Sequence, residues 1–177
     1  MPVTVLQGFG ISLERLTRDD LELVRRWRND PEIRRYMFFR EPITLEMQEA
    51  WFETIDNPYN HYKLIVCGGE KIGLSHIKNC DYERKCGEGG IFIWASAYRN
   101  SIFAYRVAIV GTDWGFYTLG LETITGRVRK DNRRAIRFNL GLGHVFDPEV
   151  PGSEALTCRL TRKAYEAKRP FLLAAVR

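Results

Sequence analysis

Residues 87–111 read GEGGIFIWASAYRNSIFAYRVAIVG, and this stretch decides the fold. The apolar run at residues 91–94 is short and rich in strand-forming side chains, which predicts a buried strand. A polar turn follows at residues 97–101. Apolar residues then recur at helical spacing, and Ser101 stands at the N-cap position, where its hydroxyl can accept from an orphan N–H. The segment therefore predicts a strand, a short polar loop and a capped helix.

The same arrangement predicts an anion-binding loop. The free amides and the positive dipole end of the helix would face the loop. Arg99 and Arg106 add formal positive charge next to it. An ordinary strand-to-helix connection is the alternative that these residues leave open.

Periodicity elsewhere predicts an α+β fold with a central twisted, mixed, mostly antiparallel sheet of about seven strands flanked by about four helices. A capping pattern at residues 17–20 starts the first helix, and Met47, Trp51 and Ile55 form the expected apolar face of a helix capped by Thr44. The predicted strands span residues 11–16, 62–67, 71–78, 90–95, 122–128, 144–146 and 156–160. Helical patterns cover the segments that begin at residues 17, 33, 44, 101, 132 and 161, with 33–39 and 161–168 as short pieces.

Composition limits the function classes. With 177 residues, 45% hydrophobic and 28% charged, the chain is predicted to form one soluble globular domain over residues 1–177. The net charge of +5 suits a phosphorylated ligand but is too small to indicate nucleic acid. No apolar run approaches a membrane helix and the first residues lack a signal-peptide pattern, so we expect a cytoplasmic protein that does not enter membranes. The four cysteines lack metal-ligand spacing, which predicts free thiols and no metal site.

Seven short motifs carry a family resemblance. They are SLERLT at 12–17, WRNDPEIR at 27–34, PIT at 42–44, QEAWF at 48–52, KIG at 71–73, DNRRAIR at 131–137 and GLG at 141–143. In this order, over roughly residues 10–146, they resemble the GNAT N-acetyltransferases, specifically the branch that acetylates ribosomal protein N-termini and amino sugars. The resemblance implies a GNAT-like fold and transfer of an acetyl group from acetyl-CoA to a primary amine.

The resemblance also implies where acetyl-CoA binds. Family members carry a loop of the form Arg/Gln-x-x-Gly-x-Gly/Ala, in which bare backbone approaches the pyrophosphate. Here the loop is RNSIFA at 99–104, so Ile102 and Phe103 replace a glycine and a variable residue. The residues expected to contact the cofactor are Phe92, Ile93, Trp94, Tyr98, Arg99, Asn100, Ser101, Ile102, Phe103, Ala104, Tyr105 and Asn132.

Three residues are candidates for the chemistry. Glu88 occupies the position where relatives often have a glutamate that takes the amine proton, and burial against Phe92 and Trp94 is expected to raise its pKa. His76 is the rival base. Relatives place a tyrosine where this chain has Asn139; an amide cannot act as an acid, although it can donate a hydrogen bond to the thiolate.

The acceptor is expected to bind at Arg28, Asn29, Arg35, Tyr36 and Met37. Arginines beside aromatic rings suit a nucleotide-linked amino sugar, because they can grip a diphosphate and a base. Acetylation of a protein N-terminus or side chain is an alternative, and so is a GNAT-like protein that binds CoA or a nucleotide with weak or no catalysis. The basic run at residues 127–137 is either a solvated face, a contact for the CoA 3′-phosphate or, less favoured, an RNA-binding surface. A homodimer is left open.

Overall fold

A computed structural model describes residues 6–99 and 101–176. Within these ranges it contains eight strands and six α-helices. The strands are β1 (Leu6–Gly8), β2 (Ile11–Arg15), β3 (His61–Cys67), β4 (Glu70–Asp81), β5 (Cys86–Ile93), β6 (Thr123–Arg129), β7 (Val145–Phe146) and β8 (Ala155–Thr161). The helices are α1 (Leu21–Asn29), α2 (Pro31–Arg34), α3 (Leu45–Ile55), α4 (Ile102–Asp113), α5 (Arg133–Leu142) and α6 (Arg162–Ala175).

All eight strands form one sheet in the order β1-β2-β3-β4-β5-β6-β8-β7. The β5–β6 pair is parallel, whereas the other six neighbouring pairs are antiparallel. Within the described part of the chain this confirms the predicted α+β fold with a mixed, mostly antiparallel sheet. None of the helices in that part has the length and apolar content needed to cross a membrane.

Helices cover both faces of the sheet. On one face, α1, α2 and α3 pack through Leu21, Ile33 and Phe52 against Leu64 and Leu74 of the sheet. On the other face, α4, α5 and α6 pack through buried apolar residues onto β4, β6 and β8. Because side chains alternate along a strand, even-numbered positions of β5 face α1 and odd-numbered positions face α4.

Several predicted elements differ from the structure. β1 was missed because it has three residues and is followed by a tight turn, in which Phe9 and Gly10 have positive φ. The second helix runs from Pro31 to Arg34 rather than over 33–39, since Asp30 caps it and proline occupies its first position. The last helix continues to Ala175 despite Pro170, which makes it longer than the predicted 161–168 segment.

The predicted apolar face of α3 is wrong in part. Gln48 and Phe52 are the residues that it buries, Trp51 and Ile55 are half-buried, and Met47 is 42% exposed. The capping predictions are confirmed: Thr17 donates from both its amide and its hydroxyl to the Asp20 carboxylate, and Thr44 accepts from the Met47 amide. Gly143 supplies the left-handed residue after α5.

Candidate active site

The sheet opens between β5 and β6. The two strands pair only at Cys86–Thr123, Gly87–Ile124 and Glu88–Thr125, although β5 continues to Ile93 and β6 to Arg129. Beyond Glu88 the strands therefore separate, and the structure pairs no later residue of β5 with β6. A cleft between diverging parallel strands leaves backbone N–H and C=O groups of β5 available to a ligand.

The helix that follows β5 begins at this cleft. Ser101 is its N-cap, as predicted: the Phe103 amide donates to Oγ of Ser101 at 3.3 Å, and the Ser101 hydroxyl donates to the Tyr98 carbonyl at 2.7 Å. The Ala104 amide contacts the Ser101 carbonyl at 3.4 Å. The amides of Phe103 and Ala104 therefore have partners within the loop, so not every amide at the start of this helix is free, which corrects the prediction from the sequence.

Side chains of this loop take three different directions. Ile102 is 38% exposed, whereas Phe103 and Ala104 pack against the core and Phe103 meets the Tyr98 ring edge-on. Tyr105 packs on Phe138 of α5. Arg99 is half-buried and has no ion pair with any residue that the structure describes, while Asn100 lies outside the described residues. The loop thus keeps, beside the start of α4, an arginine that forms no ion pair with the described residues.

Arg106 does not belong to this loop. Its guanidinium donates to the backbone carbonyls of Val176 and Phe9 at 3.2 and 3.4 Å and lies over the Phe103 ring. These contacts tie both ends of the described chain to α4. The prediction that Arg106 adds charge to the anion site is wrong.

Asn132 and Asn139 both bond to backbone of α5. Asn132 caps the helix by accepting from the Ala135 amide at 3.1 Å. Asn139 donates from Nδ2 to the Ala135 carbonyl at 2.8 Å, one turn earlier. The side chain of Asn139 is thus engaged within its own helix rather than held ready for a ligand.

A polar cluster lies on the α1 side of β5. Strand register places Tyr62, His76 and Gly90 in one row and Lys78, Glu88 and Thr125 in the next. The Tyr62 and His76 rings stack with centroids 5.0 Å apart, and Nζ of Lys78 lies 3.2 Å from Oε1 of Glu88. The half-buried Glu88 is thus neighboured by an ammonium group, and not by Phe92 and Trp94 as predicted.

Burial sets the protonation of the two ring groups. Desolvation, with Lys78 and Arg28 nearby, lowers the pKa of His76 to about 3, so this imidazole is neutral at physiological pH and a weak base. Desolvation and the Glu88 charge raise the pKa of Tyr62 to about 12, so its hydroxyl stays protonated. Among the two predicted bases, Glu88 is the stronger candidate on this geometry.

The predicted acceptor residues occupy two groups. Arg28 faces the polar cluster, with its guanidinium carbon 6.0 Å from the Phe92 ring centroid. Tyr36 lies between Arg35 and Arg134 of α5. Met37 packs into the core beneath α1. The side-chain amide of Asn29 donates to the Ile43 carbonyl and accepts from the Ile43 amide, each at 2.8 Å. These bonds to the protein backbone explain the asparagine without a role in binding substrate.

Beside α1 lies an open cavity of about 550 Å³, lined by Arg25, Arg26, Trp27, Asn29 and Asp30. Trp27 stacks on Trp94, which follows β5, with ring centroids 6.1 Å apart and planes 6° from parallel. Among the residues that line the cavity, Trp27 thus contacts the end of β5.

The basic run at residues 127–137, which spans the end of β6 and the start of α5, is largely engaged in protein contacts. Arg129 is buried and pairs with Asp131 and Glu154, Lys130 pairs with Glu149, and Arg127 lies over the Phe38 ring. Arg133 and Arg137 are exposed on α5. Because most of these cations contact carboxylates or rings of the protein, they do not form a continuous surface for nucleic acid.

Residues 11–144 match the family model described as the acetyltransferase (GNAT) domain. The chain belongs to this family. As a GNAT acetyltransferase it is an acyltransferase, and the eight-stranded sheet is the GNAT fold that the sequence motifs predicted. In the parts of the chain described, no group of three or more His, Cys, Asp or Glu side chains is placed to hold a metal ion.

The named relatives differ from the predicted branch. The chain is 28% identical to spermidine N(1)-acetyltransferase of Escherichia coli (strain K12) over 143 residues, which cover 80% of this chain and 76% of the relative. The fold is also similar to the crystal structure of spermidine N-acetyltransferase from Vibrio cholerae in complex with CoA and spermine. The TM-score is 0.78 at 21% identity, and the match covers 90% of this chain and 99% of that chain. A dodecameric structure of the Vibrio cholerae enzyme matches with a TM-score of 0.73 at 20% identity. That match covers 89% of this chain and 97% of that chain. None of these three relatives is named as an enzyme of ribosomal proteins or amino sugars.

Sequence reasoning missed two members of the polar cluster. Tyr62 and Lys78 contact His76 and Glu88 only because of how β3, β4 and β5 are aligned. The alternation along β3 and β4, combined with the register across the Gly68-Gly69 hairpin, could have placed Tyr62 beside His76. The Lys78–Glu88 pair depends instead on the register of β4 against β5.

Proposed function

We propose that the protein transfers the acetyl group of acetyl-CoA to the primary amine of a small molecule. The observation that carries this proposal is the cleft between β5 and β6, with a capped helix N-terminus at its mouth and the Tyr62, His76, Lys78 and Glu88 cluster on one wall. Acetyl-CoA is a substrate here. Its pantetheine arm suits the unpaired edge of Phe92–Trp94, and its pyrophosphate suits Arg99 and the first amides of α4.

The reaction requires little beyond positioning and one proton transfer. The amine nitrogen attacks the thioester carbonyl, a C–N bond forms, and the C–S bond breaks to release the CoA thiolate. We assign removal of the amine proton to Glu88, directly or through water, because His76 is held neutral with a low pKa. The thiolate is a tolerable leaving group because the free pKa of a thiol is about 8.5, so Asn139 in place of a tyrosine does not preclude turnover.

Two acceptor classes have specific support. The named relatives favour a polyamine such as spermidine. The arginines and aromatic rings of residues 25–36 favour an amine that carries phosphate or carboxylate, of which the nucleotide-linked amino sugar predicted from the sequence is one example. A protein N-terminus is the third candidate, and a homodimer or larger assembly stays a prediction for this chain.

Release of free thiol from acetyl-CoA in the presence of a panel of amines tests the proposal. The panel contains spermidine, amino sugars and their phosphates, amino acids and a peptide. We expect at least one small amine to be acetylated, and Glu88→Gln to lower that turnover by roughly 10²–10⁴ while thermal protection by CoA is kept. Protection by CoA without thiol release from any amine would instead support a CoA-binding protein without catalysis.

A further inference from the structure

Arg28 is placed where an apolar residue would be expected. It lies on the face of α1 that carries the buried residues Leu21 and Val24, at spacings of seven and four residues. This face packs on the sheet, so the last turn of an otherwise apolar contact surface presents a guanidinium to β5. Burial lowers the pKa of Arg28, in the direction expected for a cation with little solvent around it.

The guanidinium lacks the partner that a half-buried cation needs. Its Nε is buried without a hydrogen-bond partner, and no carboxylate of the described residues lies within ion-pair distance of it. Neighbouring arginines differ: Arg25 pairs with Glu22 at 2.7 Å and Arg35 with Glu32 at 3.1 Å. A guanidinium whose Nε is desolvated without a partner opposes folding, so a counter-charge from a ligand would explain why arginine stands here.

The surroundings place Arg28 beside the polar cluster on the α1 face of the sheet. Its guanidinium lies over Phe92, and its charge reaches both Tyr62 and His76. Gly90 and Glu88 follow on the same face of β5, in the direction of the Lys78 ammonium. The proposed base and the unpaired guanidinium therefore face the same space on one side of the sheet.

We propose that the acceptor carries a carboxylate or phosphate group besides its amine, and that Arg28 binds this anionic group. The inference rests on the proposed function, since it specifies the substrate of that site. The planar fork of arginine matches both anions through paired hydrogen bonds. Spermidine offers the opposite charge pattern: its ammonium groups would meet Arg28 and Lys78, and the one carboxylate of the cluster is already paired with Lys78.

Matched amines provide the test. Each pair shares its amine and differs in the anionic group: an ω-amino acid and its amide, at several chain lengths, and glucosamine 6-phosphate and glucosamine, with spermidine as the cationic reference. We expect the wild-type kcat/KM to be at least tenfold higher for the anionic member of a pair. Arg28→Gln should abolish this preference by raising KM for the anionic amine at least tenfold, with KM for acetyl-CoA unchanged.

Arg84→Gln is the matched control, because it removes the same charge from an exposed hairpin loop away from the cleft. It should leave the preference intact. If the wild-type enzyme acetylates amines but favours spermidine or the neutral members, and Arg28→Gln leaves these ratios unchanged, the inference is overturned while the proposed function stands. Absence of turnover with every amine would count against the proposed function itself.

A binding measurement keeps the inference testable without turnover. With CoA saturating, inorganic phosphate and propionate should raise the unfolding temperature of the wild-type protein more than that of Arg28→Gln. Without ligand, Arg28→Met should unfold at a higher temperature than the wild type, because it replaces an unpaired charge on an apolar face. Equal protection of both proteins by the anions, or a fall in the unfolding temperature of Arg28→Met, would assign Arg28 a structural role instead.

Discussion

Gly90 and His76 face each other across the β4–β5 pair, and a Cβ atom on Gly90 would stand 2.4 Å from Cε1 of His76. The absence of a side chain at Gly90 is thus what lets the imidazole lie flat on the sheet beneath Tyr62. The glycine pair at positions 89–90 serves the packing of neighbouring side chains, because Gly89 likewise leaves room for Ile124.

We predict that Gly90→Ala destabilises the protein by about 1–3 kcal/mol, the usual cost of overpacking. The new methyl group must displace the His76 ring and with it the Tyr62 contact. Urea unfolding measures the loss. The double variant Gly90→Ala/His76→Ala should recover part of it, since removal of the imidazole makes room for the methyl group. Additive effects of the two substitutions would show that they do not share this contact.

Glu88→Gln should lower turnover by roughly 10²–10⁴, the range typical of a lost general base. The amide keeps the size of the side chain, and the KM for acetyl-CoA should hardly change because the pantetheine contacts are expected to be made by backbone. The acidic limb of the pH–rate profile should change as well. Steady-state kinetics with an accepted amine provides the measurement.

His76→Ala serves as the comparison for this prediction. If turnover falls less than about threefold in Glu88→Gln but is nearly lost in His76→Ala, His76 is the base in spite of its low pKa. Equal unfolding midpoints of wild-type and Glu88→Gln proteins are needed to exclude a loss of structure through the Lys78 ion pair.

Features set by neighbours in the sequence were predicted well. The Ser101 N-cap and the Thr17–Asp20 capping pair depend on residues within one helical turn, so local chemistry identifies them. The order of elements and the sheet class followed from periodicity in the same way. The family resemblance added a cofactor contact along Phe92, Ile93 and Trp94, which stays a prediction.

Features that depend on distant residues were missed. Arg106 was assigned to the anion loop, but its partners Val176 and Phe9 are 70 and 97 residues away in the sequence. The Lys78–Glu88 pair depends on the register of β4 against β5, which shifts between Lys78 and Asp81. No local pattern encodes such alignments, because turns and bulges elsewhere in the chain set them.

Ser101→Ala should destabilise the protein by about 1 kcal/mol, because the Phe103 amide loses the cap that Oγ provides. Arg99→Ala should have little effect on stability, since no described residue forms an ion pair with it, but it should raise the KM for acetyl-CoA more than the KM for the amine. Thermal unfolding and two-substrate kinetics report these effects. Equal changes in both KM values would argue against this loop as the pyrophosphate site.

The last prediction concerns His144, which is 9% exposed and whose Nδ1 has no hydrogen-bond partner among the described residues. Burial lowers its pKa from 6.5 to about 4. Above pH 6.5 the imidazole is neutral in both folded and unfolded chains, so its contribution to stability is fully present. As the pH falls below 6.5, His144 binds a proton in the unfolded chain but stays neutral in the folded protein. The free energy of unfolding therefore falls progressively until the pH reaches the folded pKa.

Between pH 7 and pH 5 this difference amounts to about 2 kcal/mol of unfolding free energy. His144→Gln removes the titrating group, so the variant should lose about 2 kcal/mol less than the wild type over the same interval. Urea unfolding at half-unit pH steps measures both curves, and contributions from His76 and His61 cancel because both proteins retain them. Parallel curves for the two proteins would mean that His144 titrates normally in the folded state, which would contradict its burial as the cause of acid sensitivity.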